Sequence, residues 1–510
     1  MGNPSCLNED QFGLLCEACD NVLLDSAATV ETVAIAWLHV VREHPLFLDA
    51  YRDLFGSKNN LGELAGRCRS QVTWFKQIVK ALLSGGSPWF GVQALPDRAD
   101  ILFISHLVSP AHAGKEDDFY YGTLPYEMVQ CNRPAVVALV NHTAKPSSWY
   151  NDKWANCVVP RVMLSNSLAL DEETDFHGRL IIESKRLKAK AEKARLPFEK
   201  IVLDRAALEA VTGSTQAMLR LAFQIGKLAD QLRPKAIIIT YEGHGWERMA
   251  FSAARQAVPG IQCIGYQHAA LFRLQHAIRR NLAHEYNPDT IMTAGPAGKA
   301  ELEHLSEAGN ISVSILGSNR CPDRSPMLDE ETINTDKMFP TVERSCLVLP
   351  EGIESECHLL FEFSIDCALS APNIRFIWRL HPIVSFESLV SQNIRLQQLP
   401  DNILISRETF EKDITRCGFA LYRGTTAIFQ AVFGGLRPVY LQKKDEMTID
   451  PLYRMNKVRA KVSTITEFLE IVNNDKKQLL TKEDKISAIQ CCVDQFVPFK
   501  PEILQDALDV

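Results

Sequence analysis

The chain has 510 residues and carries 55 Lys+Arg against 62 Asp+Glu, a formal charge of −7. That length predicts two large domains plus smaller pieces, since one domain commonly takes roughly 100–200 residues. The mild acid excess excludes broad nucleic-acid coating, which demands a basic surplus, and the most apolar windows, near Ala236–Thr240 and Ala135–Val140, fall far short of the roughly 20 residues of a membrane span.

The first residues, MGNPSCLNED, place acids early and lack a basic stretch before an apolar run, so a secretory signal is not expected. Met1-Gly2 with Ser5 and Cys6 fits a myristoylation pattern loosely. The 14 cysteines are scattered through apolar segments, which predicts reduced thiols and a cytoplasmic protein. Cys16-x-x-Cys19 has no second ligand pair, so no metal is expected there. Apolar residues at mixed three and four spacing run from Ala28 to Phe55 and again from Ser70 to Gly85-Gly86. Residues 1–95 are therefore read as an α-helical N-terminal extension.

From Ala99 the pattern changes. ADILFISH and RPAVVALVNHT read as strands, followed by a charged helical region at Leu180–Arg195. Lys235–Thr240 is a strand, Trp246–Ala257 a helix, Ile261–Gln267 a strand, Asp289–Ala294 a strand, Ala297–Ala308 a helix and Val313–Leu316 a strand. The stretch Gly317 to Pro340 holds three prolines and no periodicity, so 319–343 is the expected linker. Alternation then restarts: strands at Ser345–Leu349, Ile374–Leu380, Asn402–Ile405, Gly418–Tyr422 and Pro438–Leu441, with helices at Glu354–Leu369, Phe410–Arg416 and Ala427–Phe433. The predicted fold class is α/β, with two doubly wound Rossmann-like domains, 96–318 and 344–510, facing a cleft. Ligands in such a pair bind at the carboxyl ends of the strands.

Chemistry is sought at those strand ends. IRFIWRL runs into His381-Pro382; proline biases its predecessor to extended geometry, so His381 is held at the strand tip, able to donate to an anionic oxygen. Arg379 precedes it on the same strand. His44-Pro45 repeats the dipeptide, but after a helical pattern, and is assigned no role. GFALY leads to Arg423-Gly424-Thr425-Thr426 at a strand–helix junction, where hydroxyls, an arginine and free N–H groups suit a phosphate; a simple threonine N-cap is the alternative. Glu351-Gly352-Ile353-Glu354 follows the first strand of the second unit. Gly352 allows close approach of a ligand, and the acids either accept bonds from a ribose or base or favour the start of a helix.

In the first unit, KAIIITY enters Glu242-Gly243-His244-Gly245-Trp246-Glu247, and IQCIGYQ ends at His268. Glu242, Glu247, His244 and His268 are the candidates for proton transfer. Ser105-His106 and Asn141-His142 end the earlier strands on the acceptor side, and the run Phe272–Arg280 either attracts an anion or is a solvated face.

Taken together, YEGHGWE, GYQHA, the strand-final RLHP and RGTTAIFQAVFGGLRPVYL resemble bacterial glycosyltransferases of the GT-B fold that assemble surface polysaccharides, over about Ile101 to Gln442. The likeness is strongest to transferases of CMP-activated Kdo and sialic acid. The resemblance implies that His381, Pro382, Thr425 and Thr426 hold the CMP phosphate and that Glu242, before Gly243, works at the reaction centre, without metal. No resident cofactor is implied: the nucleotide sugar is the substrate and a glycan or lipid-linked glycan the acceptor, with peripheral membrane association and no nucleic-acid partner. The expected function is transfer of an acidic sugar from a CMP donor. Rivals are a UDP- or GDP-sugar transferase, a polyol-phosphate transferase, a sugar-nucleotide epimerase, or a non-catalytic subunit of an assembly complex.

Overall fold

A run such as AIIIT has no polar face and must be covered on both sides. In the computed structural model, which describes residues 7–56, 73–83, 86–143, 145–307, 311–321, 344–474 and 482–509, such runs form two separate sheets. The first comprises β1 (Trp89–Gly91), β2 (Ile101–Leu107), β3 (Ala135–Asn141), β4 (Arg161–Leu164), β5 (Ala236–Thr240), β6 (Gln262–Gln267), β7 (Thr290–Thr293) and β8 (Ser312–Ile315), in the order β1-β4-β3-β2-β5-β6-β7-β8. Every pair is parallel except β1 with β4 at one edge. The second comprises β9 (Ser345–Leu349), β10 (Arg375–Trp378), β11 (Ile403–Ile405), β12 (Phe419–Tyr422), β13 (Arg437–Leu441) and β14 (Ala460–Val462), in the order β11-β10-β9-β12-β13-β14. It is parallel throughout.

Among the parallel strands both orders reverse direction once, between β2 and β5 in the first sheet and between β9 and β12 in the second. At such a reversal the connecting helices depart to opposite faces, leaving a crevice beyond the strand ends. Leu102, Ile104, Ile237 and Ile239 pack on one face of the first sheet against helices Gly213–Leu232 and Gly245–Ala257. Phe103 and Ile238 pack on the other with Tyr121, Leu124 and Met128.

The N-terminal extension is more broken than its periodicity predicts. Helix Glu9–Leu23 is followed by short pieces, Val30–Ala34, Ala36–His39, Pro45–Leu48 and Asp49–Phe55. Val40 takes a left-handed φ of 44°, and Pro45 holds His44 extended. These pieces share one core with the long helices Leu170–Lys193 and Pro197–Ala210. Cys16 and Cys19 lie inside that core, and burial pushes the Cys16 thiol up to about 12. The described cysteines are free thiols.

The predicted linker falls outside the described residues from 322 to 343; Asn319–Cys321 continue from β8. The chain crosses between the units a second time near its end. Helix Lys482–Gln495 packs on helix Ile428–Phe433 of the second unit through Cys492 and Phe496, whereas Leu504 and Leu508 of helix Pro501–Leu508 join Phe103 and Leu124 beneath the first sheet. The last helix thus lies with the first unit and not, as its place in the sequence suggested, with 344–510, because its apolar residues Leu504 and Leu508 bury against that unit's core. The two crossings run side by side: Ser318 N–H donates to the Val497 carbonyl at 2.7 Å and Lys500 N–H to the Leu316 carbonyl at 2.8 Å. Among the described residues no helix is long and apolar enough to cross a membrane.

Candidate active site

Strand β5 ends in the turn Tyr241–His244, which only glycine permits at its third position. Gly243 has φ +87°, and a Cβ there would collide with the Ala277 backbone. The turn is pinned by Glu247, whose Oε2 accepts the backbone N–H groups of Glu242, Gly243 and His244 at 3.0, 2.7 and 2.8 Å. Glu247 is buried, and burial pushes its carboxyl up to about 7. It acts as a positioning residue: one of its oxygens holds the three amides of the turn.

Glu242 and His244 stay partly exposed at the end of β5, with Oε2 and Nε2 3.4 Å apart. Burial would raise the Glu242 carboxyl, but His244, His268 and Arg42 hold it well below the usual carboxylate range. His244 is shifted upward: burial opposes its charge, and the bond to Glu242 outweighs that. His268, at the end of β6, is pushed down to about 4 by burial, with Arg320 contributing; its ring meets Tyr120 edge-on at 4.5 Å. His106 and His142, from β2 and β3, share a proton between Nδ1 and Nε2 at 2.8 Å, beside Trp246. Burial holds His106 down at about 3. Ser105 and Asn141 are structural: Ser105 Oγ donates to Asp118 at 2.8 Å, and Asn141 Oδ1 accepts from Thr143.

On the second unit, His381 lies across Gly352, where a Cβ would approach Nδ1 to 2.8 Å. Its Nδ1 accepts a long bond, 3.4 Å, from Ile383 N–H, so Nε2 carries the proton of the neutral ring. Burial, then Arg320, lowers its basicity. Thr425 Oγ1 accepts from Ala427 N–H at 3.4 Å, while the half-exposed Thr426 hydroxyl has no hydrogen bond within the described residues.

Four other residues expected at a nucleotide are engaged elsewhere. Arg379 Nη1 is 2.9 Å from the buried Asp413 carboxylate. Arg423 is buried between Glu356 at 2.5 Å and Glu446 at 2.8 Å. Glu354 is exposed and accepts from Ser388 and Gln392. Gly424 is open not to a ligand but to the Glu351 carboxylate, which would collide with any Cβ there. Each is held by a partner distant in sequence. The run Phe272–Arg280 is neither an anion attractor nor a solvated face: Arg273, His276 and Arg280 pair with Glu9 and Asp20 of the first helix, and Arg279 with Glu301.

Sequence reading missed three contributors. His44-Pro45, assigned no role, places His44 Nε2 3.3 Å from Glu351 and 3.9 Å from Glu356. The three have the spacing of a metal cluster. However, His44 Nδ1 accepts the Leu46 N–H at 3.1 Å, so Nε2 holds the proton and faces the carboxylates as a donor, not as a metal ligand. Arg42 Nη2 reaches the other Glu351 oxygen at 3.3 Å. Arg320, on the connector after β8, stacks over Phe119 and Tyr120 at 5.9 and 5.8 Å. Nothing in the local pattern around these three marks them.

No family model matches the chain, and no curated protein matches it. Among solved structures it is similar to the kitacinnamycin glycotransferase (11% identity, covering 81% of this chain and 100% of that one, TM-score 0.45). It is also similar to a putative UDP-N-acetylglucosamine 2-epimerase from Listeria monocytogenes (12%, 81% and 96%, TM-score 0.44), and to Acinetobacter baumannii MurG (11%, 80% and 99%, TM-score 0.42). What this chain does is read from its own side chains.

Proposed function

We propose that the chain transfers a sugar from a nucleotide-activated donor to an acceptor hydroxyl in the gap between its two sheets. One observation carries this: the strand ends at and next to both reversal points hold complementary chemistry. The first sheet presents an ionised carboxylate, Glu242, beside His244 and His268. The second presents His381 with a proton on Nε2, and the hydroxyls of Thr425 and Thr426.

Glycosyl transfer needs a base at the acceptor and charge neutralisation at the leaving phosphate. Glu242 accepts the acceptor O–H proton, with His244 placed to share it. The freed oxygen bonds to the anomeric carbon as that carbon's bond to the phosphate oxygen breaks. The leaving electron pair ends on phosphate, where His381 Nε2–H and the Thr426 hydroxyl donate to it. These donors neutralise the charge without a Lewis acid. His381-Pro382 and the hydroxyl pair, in their resemblance to CMP-sugar transferases, support CMP as the nucleotide and an acidic sugar as the group moved.

Calorimetry with CMP, UDP and GDP tests the donor; CMP is expected to bind, and tight binding of UDP alone overturns that assignment. Glu242→Gln is expected to lower transfer by roughly 10²–10⁴-fold, the range of general-base catalysis, while nucleotide affinity stays within twofold. Unchanged turnover in that variant removes Glu242 from the chemistry.

A further inference from the structure

The arginines around the gap differ in one respect. Arg42 faces Glu351, Arg279 Glu301, Arg280 Asp20, Arg379 Asp413, and Arg423 Glu356 with Glu446. Arg320 has no carboxylate partner among the described residues. Its backbone is nevertheless fixed: its N–H donates to Ser318 Oγ at 3.1 Å, and its carbonyl accepts from Gln430 Nε2 of the second unit at 3.3 Å. Its guanidinium lies against Phe119 and Tyr120, and Tyr120 is itself tied down by its N–H to Asp118 at 2.8 Å. Aromatic faces orient a guanidinium but leave most of its charge and its N–H fork unused. The charge is felt on both sides of the gap, at His268 of the first unit and His381 of the second.

An oriented, permanent cation with open donors, over the Tyr120 ring that itself meets His268, lacks an anion among the described residues. A phosphate group fits the planar fork better than a single carbonyl or hydroxyl, since it offers paired oxygens and full charge. We propose that Arg320 is the phosphate-binding residue of this site, gripping the donor's phosphate oxygens from the connector while His381 and Thr426 hold them from the second unit. This rests on the reading that the gap takes a nucleotide-activated donor. It adds that the main phosphate-binding cation belongs to neither sheet.

The test is titration calorimetry of the full chain and of Arg320→Ala and Arg320→Lys with CMP, cytidine and inorganic pyrophosphate, repeated with UDP and uridine. Arg320→Ala is expected to weaken nucleotide and pyrophosphate binding roughly 10- to 100-fold, as for loss of charged hydrogen bonds. Nucleoside affinity and melting temperature are expected to stay unchanged, and Arg320→Lys to recover part of the loss. Nucleotide and pyrophosphate affinities equal to wild type in Arg320→Ala overturn the proposal, as does an equal fall in nucleoside affinity, which marks a structural role. Pyrophosphate binding that depends on Arg320, with no nucleotide bound by the wild type, overturns the donor reading and leaves the anion site standing. Binding of neither probe by the wild type removes both.

Discussion

His39 is fully buried, and its Nε2 lies 2.7 Å from the Val33 carbonyl. Burial, reinforced by Arg280 and Arg248, holds this imidazole neutral and well below its ordinary pKa. In the unfolded chain the same ring takes a proton near 6.5. The unfolded state therefore binds more protons as pH falls below that value, and stability drops with it. Above about 6.5 the fold keeps its full stability; below, it loses about 1.4 kcal/mol per pH unit for one such ring. Thermal unfolding from pH 7.5 to 5.5 is expected to show this slope, and His39→Gln to flatten it. A slope equal to wild type in His39→Gln contradicts the assignment. His106 and His268, displaced in the same direction, add to the slope, while Glu247 and His244, displaced upward, work against it.

At this scale the sequence was informative about position and silent about direction. Glu242 and His268 are legible because each follows an apolar run at a strand end. Glu247 is equally well placed, but its carboxylate folds back on three amides. Arg379 and Arg423 look like phosphate ligands until Asp413 and Glu446 are seen beside them. Arg320 reads as linker, and its environment comes from residues 119 and 120.

Among the elements, most strands buried on both faces were legible, because an apolar run bounded by turns permits little else. The short strands β1, β4 and β14 were not, having three or four residues each. The segment Arg42–His44 was also opaque, since its meaning depends on a unit some 300 residues away, as the Arg42–Glu351 bond across 309 positions shows. It fastens the N-terminal extension to the turn after β9: His44 points its Nε2–H between Glu351 and Glu356, whose second oxygens belong to Arg42 and Arg423. Removing the imidazole takes away the polar group 3.3 Å from Glu351 Oε1, an oxygen with no hydrogen bond, and leaves that buried carboxylate less compensated, which costs roughly 1–3 kcal/mol. His44→Ala is expected to show that loss in chemical denaturation, and Arg42→Ala, at a more exposed pair, a smaller one. Equal stability of His44→Ala and wild type means the contact is incidental.

For the molecule as a whole, the last helix decides what counts as a unit. Leu504 is wholly buried under the first sheet, so Leu504→Ala is expected to cost about 2–5 kcal/mol, as for other core leucines. That loss is expected to appear in the unfolding of the first unit. If differential scanning shows only the second unit weakened, the helix does not support the first.

The paired crossings have a mechanical consequence. Two strands of chain hydrogen-bonded together between Leu316 and Lys500 bend more easily than they twist, so swinging apart or together about them is the easy displacement and swivelling is resisted. Arg320 sits two residues beyond Ser318, on that pivot. Points near an axle travel least, so any swing of the units about these crossings would leave the Arg320 charge almost where it is.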